Sequence, residues 1–172
     1  MGALHGVLKY VAQERKTRQG DFKFVSGHNC APQYAYTEML TTKRQFRKTD
    51  GRQLHHFVQP FSDDDCLTPQ EANIIGLELA EREFPNFEVV VATHLGTGHL
   101  HNHLVVNSVS CVDGRKFHQN AADLQVHRNA NDTACQRHGL AVLKKAERQE
   151  NTKRMTPENT RPACKVRVGN WI

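Results

Sequence analysis

The spacing of apolar residues along the chain predicts alternating helices and strands. Helices are predicted where apolar residues recur every three or four positions, and strands where they alternate or form short β-branched runs. The clearest helix start is Thr68, followed by Pro69 at the first helical position and by Glu71. The predicted helices are 4–14, 32–48, 68–84 and 120–138, and the predicted strands are 22–25, 53–59, 87–94 and 100–110.

The order of these elements indicates the fold class. Residues 95–98, Leu-Gly-Thr-Gly, separate the last two strands and predict a tight hairpin between them. Strands joined by a tight hairpin are antiparallel. We therefore expect an α+β fold with a central antiparallel sheet and helices packed mainly on one face.

The amino-acid composition limits the class of protein to which the chain can belong. The 172 residues, 24% charged and 38% hydrophobic, suit one domain with its own core. Five scattered cysteines without a Cys-x-x-Cys pair favour a reduced, cytoplasmic protein, and no apolar run is long enough for membrane insertion. The pattern ends near residue 143, so 1–143 is the predicted domain and 144–172 a polar linker or truncated tail.

Four histidines lie within residues 94–103. Because strand side chains alternate, His99, His101 and His103 share one face, and the hairpin would bring His94 across to it. Imidazoles converging from two adjacent strands are typical of a metal site. We expect this site on the sheet face opposite the main helical layer. The alternative is a solvated strand face with incidental histidines.

A three-histidine site suits metal-assisted catalysis, because it leaves coordination positions open. A divalent ion beside basic residues would suit a phosphodiester, whose non-bridging oxygen it could polarise. Imidazole ligands favour Mn²⁺, Co²⁺, Ni²⁺ or Zn²⁺ on softness, whereas Mg²⁺ prefers oxygen. The expected cofactor is Mn²⁺ or Mg²⁺, and Mg²⁺ is included because it is abundant in cells. Zn²⁺, Ni²⁺ and Co²⁺ are the alternatives.

The attacking group could be water or one of three tyrosines, Tyr10, Tyr34 and Tyr36. Tyr36 falls on the inward face of its predicted helix beside Met39, which predicts a packing role. Tyr10 flanks the buried stripe of the first helix and is followed by Lys16, so it is the best candidate. Attack by a tyrosine would store the bond energy in a phosphotyrosine.

A basic run suggests a polyanionic partner. The net charge is +5, and cations cluster in and after the second half of the helix predicted over 32–48. They are candidate phosphate contacts on single-stranded DNA, and the alternative is a solvated helix face. These residues are Lys43, Arg44, Arg47, Lys48 and Arg52.

The chain resembles a known family. Residues 94–107 are similar to the third motif of P-type mobilisation relaxases, His-x-Asp-x-x-His-x-His-x-His-x-x-x-Asn, and Tyr10 stands six residues before Lys16 as in their first motif. These relaxases, found on plasmids and integrative elements of Gram-positive bacteria, belong to the His-hydrophobic-His endonuclease superfamily. Gly96 stands where the family usually has Asp, and Pro60 where it usually has Ser. Other similar segments are 25–30, 42–46, 56–61, 107–110 and 138–143.

The resemblance implies a site- and strand-specific nick in single-stranded origin-of-transfer DNA, with a 5′-phosphotyrosine and a free 3′-hydroxyl. It further implies conjugative transfer, with accessory relaxosome proteins and a coupling protein as partners. The implied nucleophile is Tyr10, and the implied metal ligands are His94, His101 and His103. Residues expected to support the ligands or contact DNA are His99, Asn107 and Lys16, and His99 is also the alternative ligand. The domain would lack the strand that usually precedes the tyrosine helix.

The sequence leaves two alternatives open. A rolling-circle replication initiator would share the histidine pair, although it would not predict the Lys16-Thr17 and Asn29-Cys30 motifs. A catalytically inactive DNA- or metal-binding module is compatible with Gly96 and Pro60.

Overall fold

The computed structural model describes residues 2–96, 99–140, 142 and 167–168. Within them the helices are α1 (Ala3–Val11), α2 (Glu14–Thr17), α3 (Ala35–Gln45), α4 (Pro69–Glu83) and α5 (Ala121–Arg137), with a 3₁₀ turn at Asp63–Asp65. The strands are β1 (Arg18–Gln19), β2 (Phe22–Lys23), β3 (Val25–His28), β4 (Leu54–Pro60), β5 (Val89–His94), β6 (His101–Asn107) and β7 (Arg167–Val168). None of the described helices is long and apolar enough to cross a membrane.

A five-stranded sheet in the order β3-β5-β6-β4-β7 forms the centre of the fold, and its described strand pairs are all antiparallel. His94 lies opposite His101 across β5 and β6, which confirms the predicted antiparallel pairing of the two central strands. Residues 97–98 of their connection lie outside the described residues. So does the predicted tail 144–172, apart from the two residues of β7, which pair with β4.

Helices cover both faces of the sheet. On one face α4 and α5 pack over a core that includes Phe57, Leu79 and Leu104. On the other, α1 and α3 pack over a core that includes Leu8 and Val105. The α+β class and the antiparallel sheet are confirmed, and the histidine face lies opposite α4 and α5 as expected. The structure adds that α1 and α3 cover part of that second face.

Local sequence explains where the long helices begin. The Thr68 hydroxyl accepts a hydrogen bond from the Glu71 amide at 3.2 Å, and the Glu71 carboxylate accepts one from the Thr68 amide at 2.9 Å. Asn120 begins α5 in the same way, because its side-chain oxygen accepts from the amides of Ala122 and Asp123. Each cap satisfies amides that have no partner inside the helix. The predicted capping box at Thr68 is therefore confirmed.

A buried amide joins α4 to the sheet. The Asn102 side-chain amide donates to the Gln59 side-chain oxygen at 2.8 Å and to the Ala72 carbonyl at 2.6 Å, and its oxygen accepts from the Thr93 hydroxyl at 2.7 Å. Gly76 on α4 allows this approach, since a Cβ there would lie 2.5 Å from the Asn102 amide nitrogen. The helix can pack this closely because it lacks a side chain at that point.

Replacing Gly76 with Ala should lower the free energy of unfolding by about 1–3 kcal/mol, because the methyl group overpacks the contact between helix and sheet. Gly6→Ala, on the exposed side of α1, is the matched control, since a Cβ there meets nothing within 4 Å. The control should raise the free energy of unfolding by about 0.5–1 kcal/mol through helix propensity. Urea denaturation of both variants measures this, and effects of the same sign would contradict the packing argument.

Candidate active site

Three histidines converge where β5 ends and β6 begins. One ring nitrogen from each of His94, His101 and His103 lies within 4.8 Å of the others, and no other group of this kind occurs among the described residues. His94 and His103 are buried, and His101 is half-buried. The geometry brings together the three residues selected from the sequence. Their role as metal ligands stays a prediction.

Backbone carbonyls orient two of the three rings. Nε2 of His94 lies 2.9 Å from the Val11 carbonyl, and Nδ1 of His101 lies 2.9 Å from the His99 carbonyl. A carbonyl oxygen only accepts, so each of these nitrogens carries a proton and donates it. Nδ1 of His94 and Nε2 of His101 then carry lone pairs, and the lone pair of His94 faces Nε2 of His103 at 3.1 Å. His99 thus acts on the cluster through its main chain.

The third ring has a histidine partner instead. Nε2 of His103 lies 3.1 Å from Nδ1 of His94, and its Nδ1 lies 2.8 Å from Nε2 of His56 on β4. Sequence reasoning missed His56 as part of this site. Strand alternation placed it on the same face as Val58, which pairs with His103, but the register of β4 against β6 was needed to show the contact.

Burial keeps two of the three rings, those of His94 and His103, uncharged at neutral pH. Desolvation lowers the pKa of His94 to about 4, and His101 and Lys16 add to this effect. Desolvation, with the neighbouring imidazoles and Lys16, lowers the pKa of His103 to about 2. Neutral imidazole is the form that binds metal ions, so both rings are ligand-competent at neutral pH.

Tyr10 stands beside the cluster in the last turn of α1. Its ring centre is 6.0 Å from that of His94 and 6.2 Å from that of His103, and the residue is 47% exposed. The Lys16 ammonium lies 3.5 Å from the centre of the Tyr10 ring, a cation–π contact. The Lys16 carbonyl accepts a 2.8 Å hydrogen bond from the Leu95 amide, which joins α2 to the end of β5.

The other two tyrosines are exposed at the start of α3. Tyr34 is 61% and Tyr36 37% exposed. The predicted packing role of Tyr36 is therefore wrong, because α3 begins at Ala35 and its first turn places this ring at the surface against the edge of His5. Neither tyrosine has a ring contact with the histidine cluster among the described residues.

The structure buries two residues that the sequence analysis selected, Lys43 as a DNA contact and Asn107 as a residue that supports the ligands or contacts DNA. Lys43 is only 1% exposed, and its ammonium donates to the side-chain oxygen of Asn107. Asn107 is itself buried and donates to the Glu88 carboxylate and to the Met39 carbonyl. It also lies four residues beyond His103 on β6, about 13 Å along the strand. Both side chains compensate a buried carboxylate, so neither is available to DNA or to the histidines.

The remaining predicted phosphate contacts are exposed, in the last turn of α3 or after it. Their role in DNA binding stays a prediction. They are Arg44, Arg47, Lys48 and Arg52.

The comparison with known proteins agrees with the fold and the cluster. Residues 10–140 match the family described as "Relaxase: MobA/VirD2-like, nuclease domain". The fold, the histidine cluster and the family match together define the class of this protein as a nuclease domain of the relaxase type. The chain belongs to this relaxase family, which confirms the resemblance drawn from its motifs.

The individual relatives are named either as relaxases or as protein rlx. Protein rlx of Staphylococcus aureus is 41% identical over 117 residues, which are 68% of this chain and 35% of that protein. A second protein rlx from this organism is 39% identical over 120 residues, 70% of this chain and 38% of its own length. The group II intron-interrupted relaxase LtrB of Lactococcus lactis is 29% identical over 140 residues, 66% of this chain and 24% of that protein. No solved structure matches the chain.

Buried histidines should make the fold sensitive to acid. Burial lowers the pKa of His55 to about 4, as it lowers the pKa values of His94 and His103 to about 4 and about 2. An unfolded histidine has a pKa of about 6.5, so below that pH the unfolded chain binds protons that the folded chain excludes. The free energy of unfolding should be flat above about pH 7 and fall by about 1.4 kcal/mol per pH unit for each histidine as the pH drops toward 4.

Urea denaturation across this range, in metal-free buffer, measures that slope. His55→Phe removes one titrating group outside the cluster and should make the slope shallower by about 1.4 kcal/mol per pH unit. A free energy of unfolding that stays constant from neutral to acidic pH would contradict the burial of these rings.

Proposed function

We propose that residues 1–143 form the nicking domain of a DNA relaxase, which binds DNA in single-stranded form and cuts that strand by tyrosyl attack at a metal centre. The observation that carries this proposal is the position of Tyr10, whose exposed ring lies 6.0 Å from His94 and 6.2 Å from His103, centre to centre. Membership of the relaxase family favours this function over a rolling-circle initiator.

The residues present fit a divalent cation. The three ring nitrogens lie within 4.8 Å of one another, and the second nitrogens of His94 and His101 are already engaged with carbonyls. The open coordination positions of a three-histidine site would accept a phosphate oxygen. Once bound, Mn²⁺, Mg²⁺ or a softer divalent ion would polarise the scissile phosphate and offset the charge that develops there.

Tyr10 would supply the nucleophile. Its hydroxyl oxygen attacks phosphorus and forms the Tyr10 phosphoester, while the bond from phosphorus to the 3′ oxygen breaks. The phenol proton is lost to water and the departing 3′ oxygen gains one, so the products are a 5′-phosphotyrosine and a free 3′-hydroxyl. The Lys16 ammonium, 3.5 Å from the ring centre, stabilises negative charge that develops on the phenol.

Exposed aromatic and basic side chains near α1 support a single-stranded substrate. A groove of about 560 Å³ opens between α1, β2, β3 and the start of α3, and Lys9, Lys23 and Tyr36 line it. Tyr34 and Phe22 are exposed in the same part of the fold. Unpaired bases stack on such rings, and cations follow the backbone.

The wider activity is also a proposal, because the chain spans only about a third of the length of the rlx relatives. The proposed activity is a nick at an origin of transfer that serves conjugative transfer. The proposed partners are accessory relaxosome proteins and a coupling protein.

Tyr10→Phe should abolish the covalent protein–DNA adduct, because phenylalanine has no oxygen to attack phosphorus. The substrate is a pool of random-sequence single strands with a fluorophore at the 3′ end, so the fragment attached through its 5′ phosphate carries the label. Denaturing gels with Mn²⁺ present measure the adduct. Tyr34→Phe is the matched control and should react like wild type. Adduct formation by Tyr10→Phe at the wild-type rate would rule out Tyr10 as the nucleophile.

Two basic surfaces can be tested by the salt dependence of binding to a single-stranded oligothymidylate. Each phosphate contact contributes about −0.7 to the slope of log affinity against log salt, so losing two should reduce it by about 1.4. We expect this smaller salt dependence for two double variants. One combines Lys9→Ala with Lys23→Ala, and the other combines Arg44→Ala with Arg47→Ala. Arg82→Ala with Arg128→Ala, exposed on α4 and α5, is the control. A pair that leaves the slope unchanged does not contact the strand.

A further inference from the structure

His56 is a buried histidine whose one hydrogen bond in the described part of the chain goes to the cluster. It is 6% exposed, and its Nε2 lies 2.8 Å from Nδ1 of His103. The two rings are tilted by 31°, with centres 4.9 Å apart. Its second ring nitrogen, Nδ1, is buried without a hydrogen-bond partner among the described residues.

The fold alone does not explain a histidine at this position. A buried polar group without a partner costs about 1–3 kcal/mol, which an apolar ring of similar shape would avoid. The contact with His103 is therefore the feature that distinguishes histidine from phenylalanine here. A side chain that is unfavourable for stability, and whose polar contact is with a candidate ligand, indicates a role at that ligand.

The hydrogen-bonding requirements of His103 define the role. To coordinate a cation through Nε2, the nitrogen that faces His94, His103 must carry its ring proton on Nδ1. That proton needs an acceptor, and the nitrogen 2.8 Å away belongs to His56. His94 and His101 use the carbonyls of Val11 and His99 for the same purpose. His103 has His56 instead.

We propose that His56 is a positioning residue of the metal centre, which accepts a hydrogen bond from Nδ1 of His103 and so presents Nε2 of His103 to the cation. This inference rests on the proposed function, because it assumes a metal at the three histidines. Partners of this kind fix the tautomer and orientation of a ligand, and losing one typically costs about 10–100-fold in metal affinity.

His55 provides a matched control on the same strand. It is 7% exposed, close to the value for His56, but it faces the opposite side of the sheet and packs against Phe117 at 4.5 Å between ring centres. The same substitution at 55 and 56 therefore removes an equally buried imidazole from opposite faces of β4.

The experiment titrates Mn²⁺ into the metal-free full chain by calorimetry and measures the thermal midpoint of each metal-free variant. His56→Phe should bind Mn²⁺ about 10–100-fold more weakly than wild type, with a midpoint close to that of wild type. The variant removes the unpaired Nδ1 of His56 but leaves Nδ1 of His103 without its partner, so the two effects on stability offset each other. His56→Gln should recover most of the affinity, since its amide oxygen can accept from Nδ1 of His103. His55→Phe should bind like wild type, and His101→Ala should lose binding.

The outcomes separate this inference from the proposed function. Wild-type protein that binds no Mn²⁺ overturns the metal centre, and the inference with it. Wild-type binding that His56→Phe leaves unchanged overturns the inference alone. Loss of affinity together with a lowered midpoint, unrelieved by His56→Gln, would assign His56 a structural role and also overturn the inference.

Discussion

The register of β5 against β6 is the constraint on which the candidate site depends. His94 pairs with His101, and Ala92 pairs with His103, so the imidazoles share a face. A slip of one residue would send His101 and His103 to the α4 side. The register is held by the apolar runs Val89–Val91 and Leu104–Val106, buried on both faces. The chemistry at one end of these strands thus depends on the packing of the core along the rest of their length.

The end of α1 couples this sheet to the candidate nucleophile. The last carbonyls of a helix lack partners inside it, and the Val11 carbonyl accepts from His94 instead. Tyr10 is the preceding residue, so the backbone that orients a candidate ligand also sets the position of the phenol. Lys16 adds a second connection, because its carbonyl is bonded to Leu95 while its ammonium covers the Tyr10 ring. Displacement of α1 would therefore disturb ligand and nucleophile together.

Local patterns were sufficient for the fold class, for the start of α4 at Thr68 and for the convergence of histidines from β5 and β6. The choice of His94, His101 and His103 among the four histidines came from the family resemblance. Local patterns gave wrong or incomplete predictions for side chains whose surroundings are set by residues far away in sequence. Lys43 belongs to a basic run that is typical of a solvated helix, yet it is buried beside Asn107 because Glu88, far away in sequence, needs compensation. Similarly, His56 meets His103 through the register of β4 on β6, which no local pattern encodes.

The hydrogen-bond partners of the three imidazoles differ in how they respond to mutation. Two are main-chain carbonyls, of Val11 and His99, and every amino acid supplies a carbonyl. A codon change at either position alters the side chain but cannot delete the acceptor. His56 is the one partner of the three that is a side chain. Sequence drift can therefore remove the partner of His103 in a single step, whereas the partners of the other two rings are lost only if the backbone itself moves.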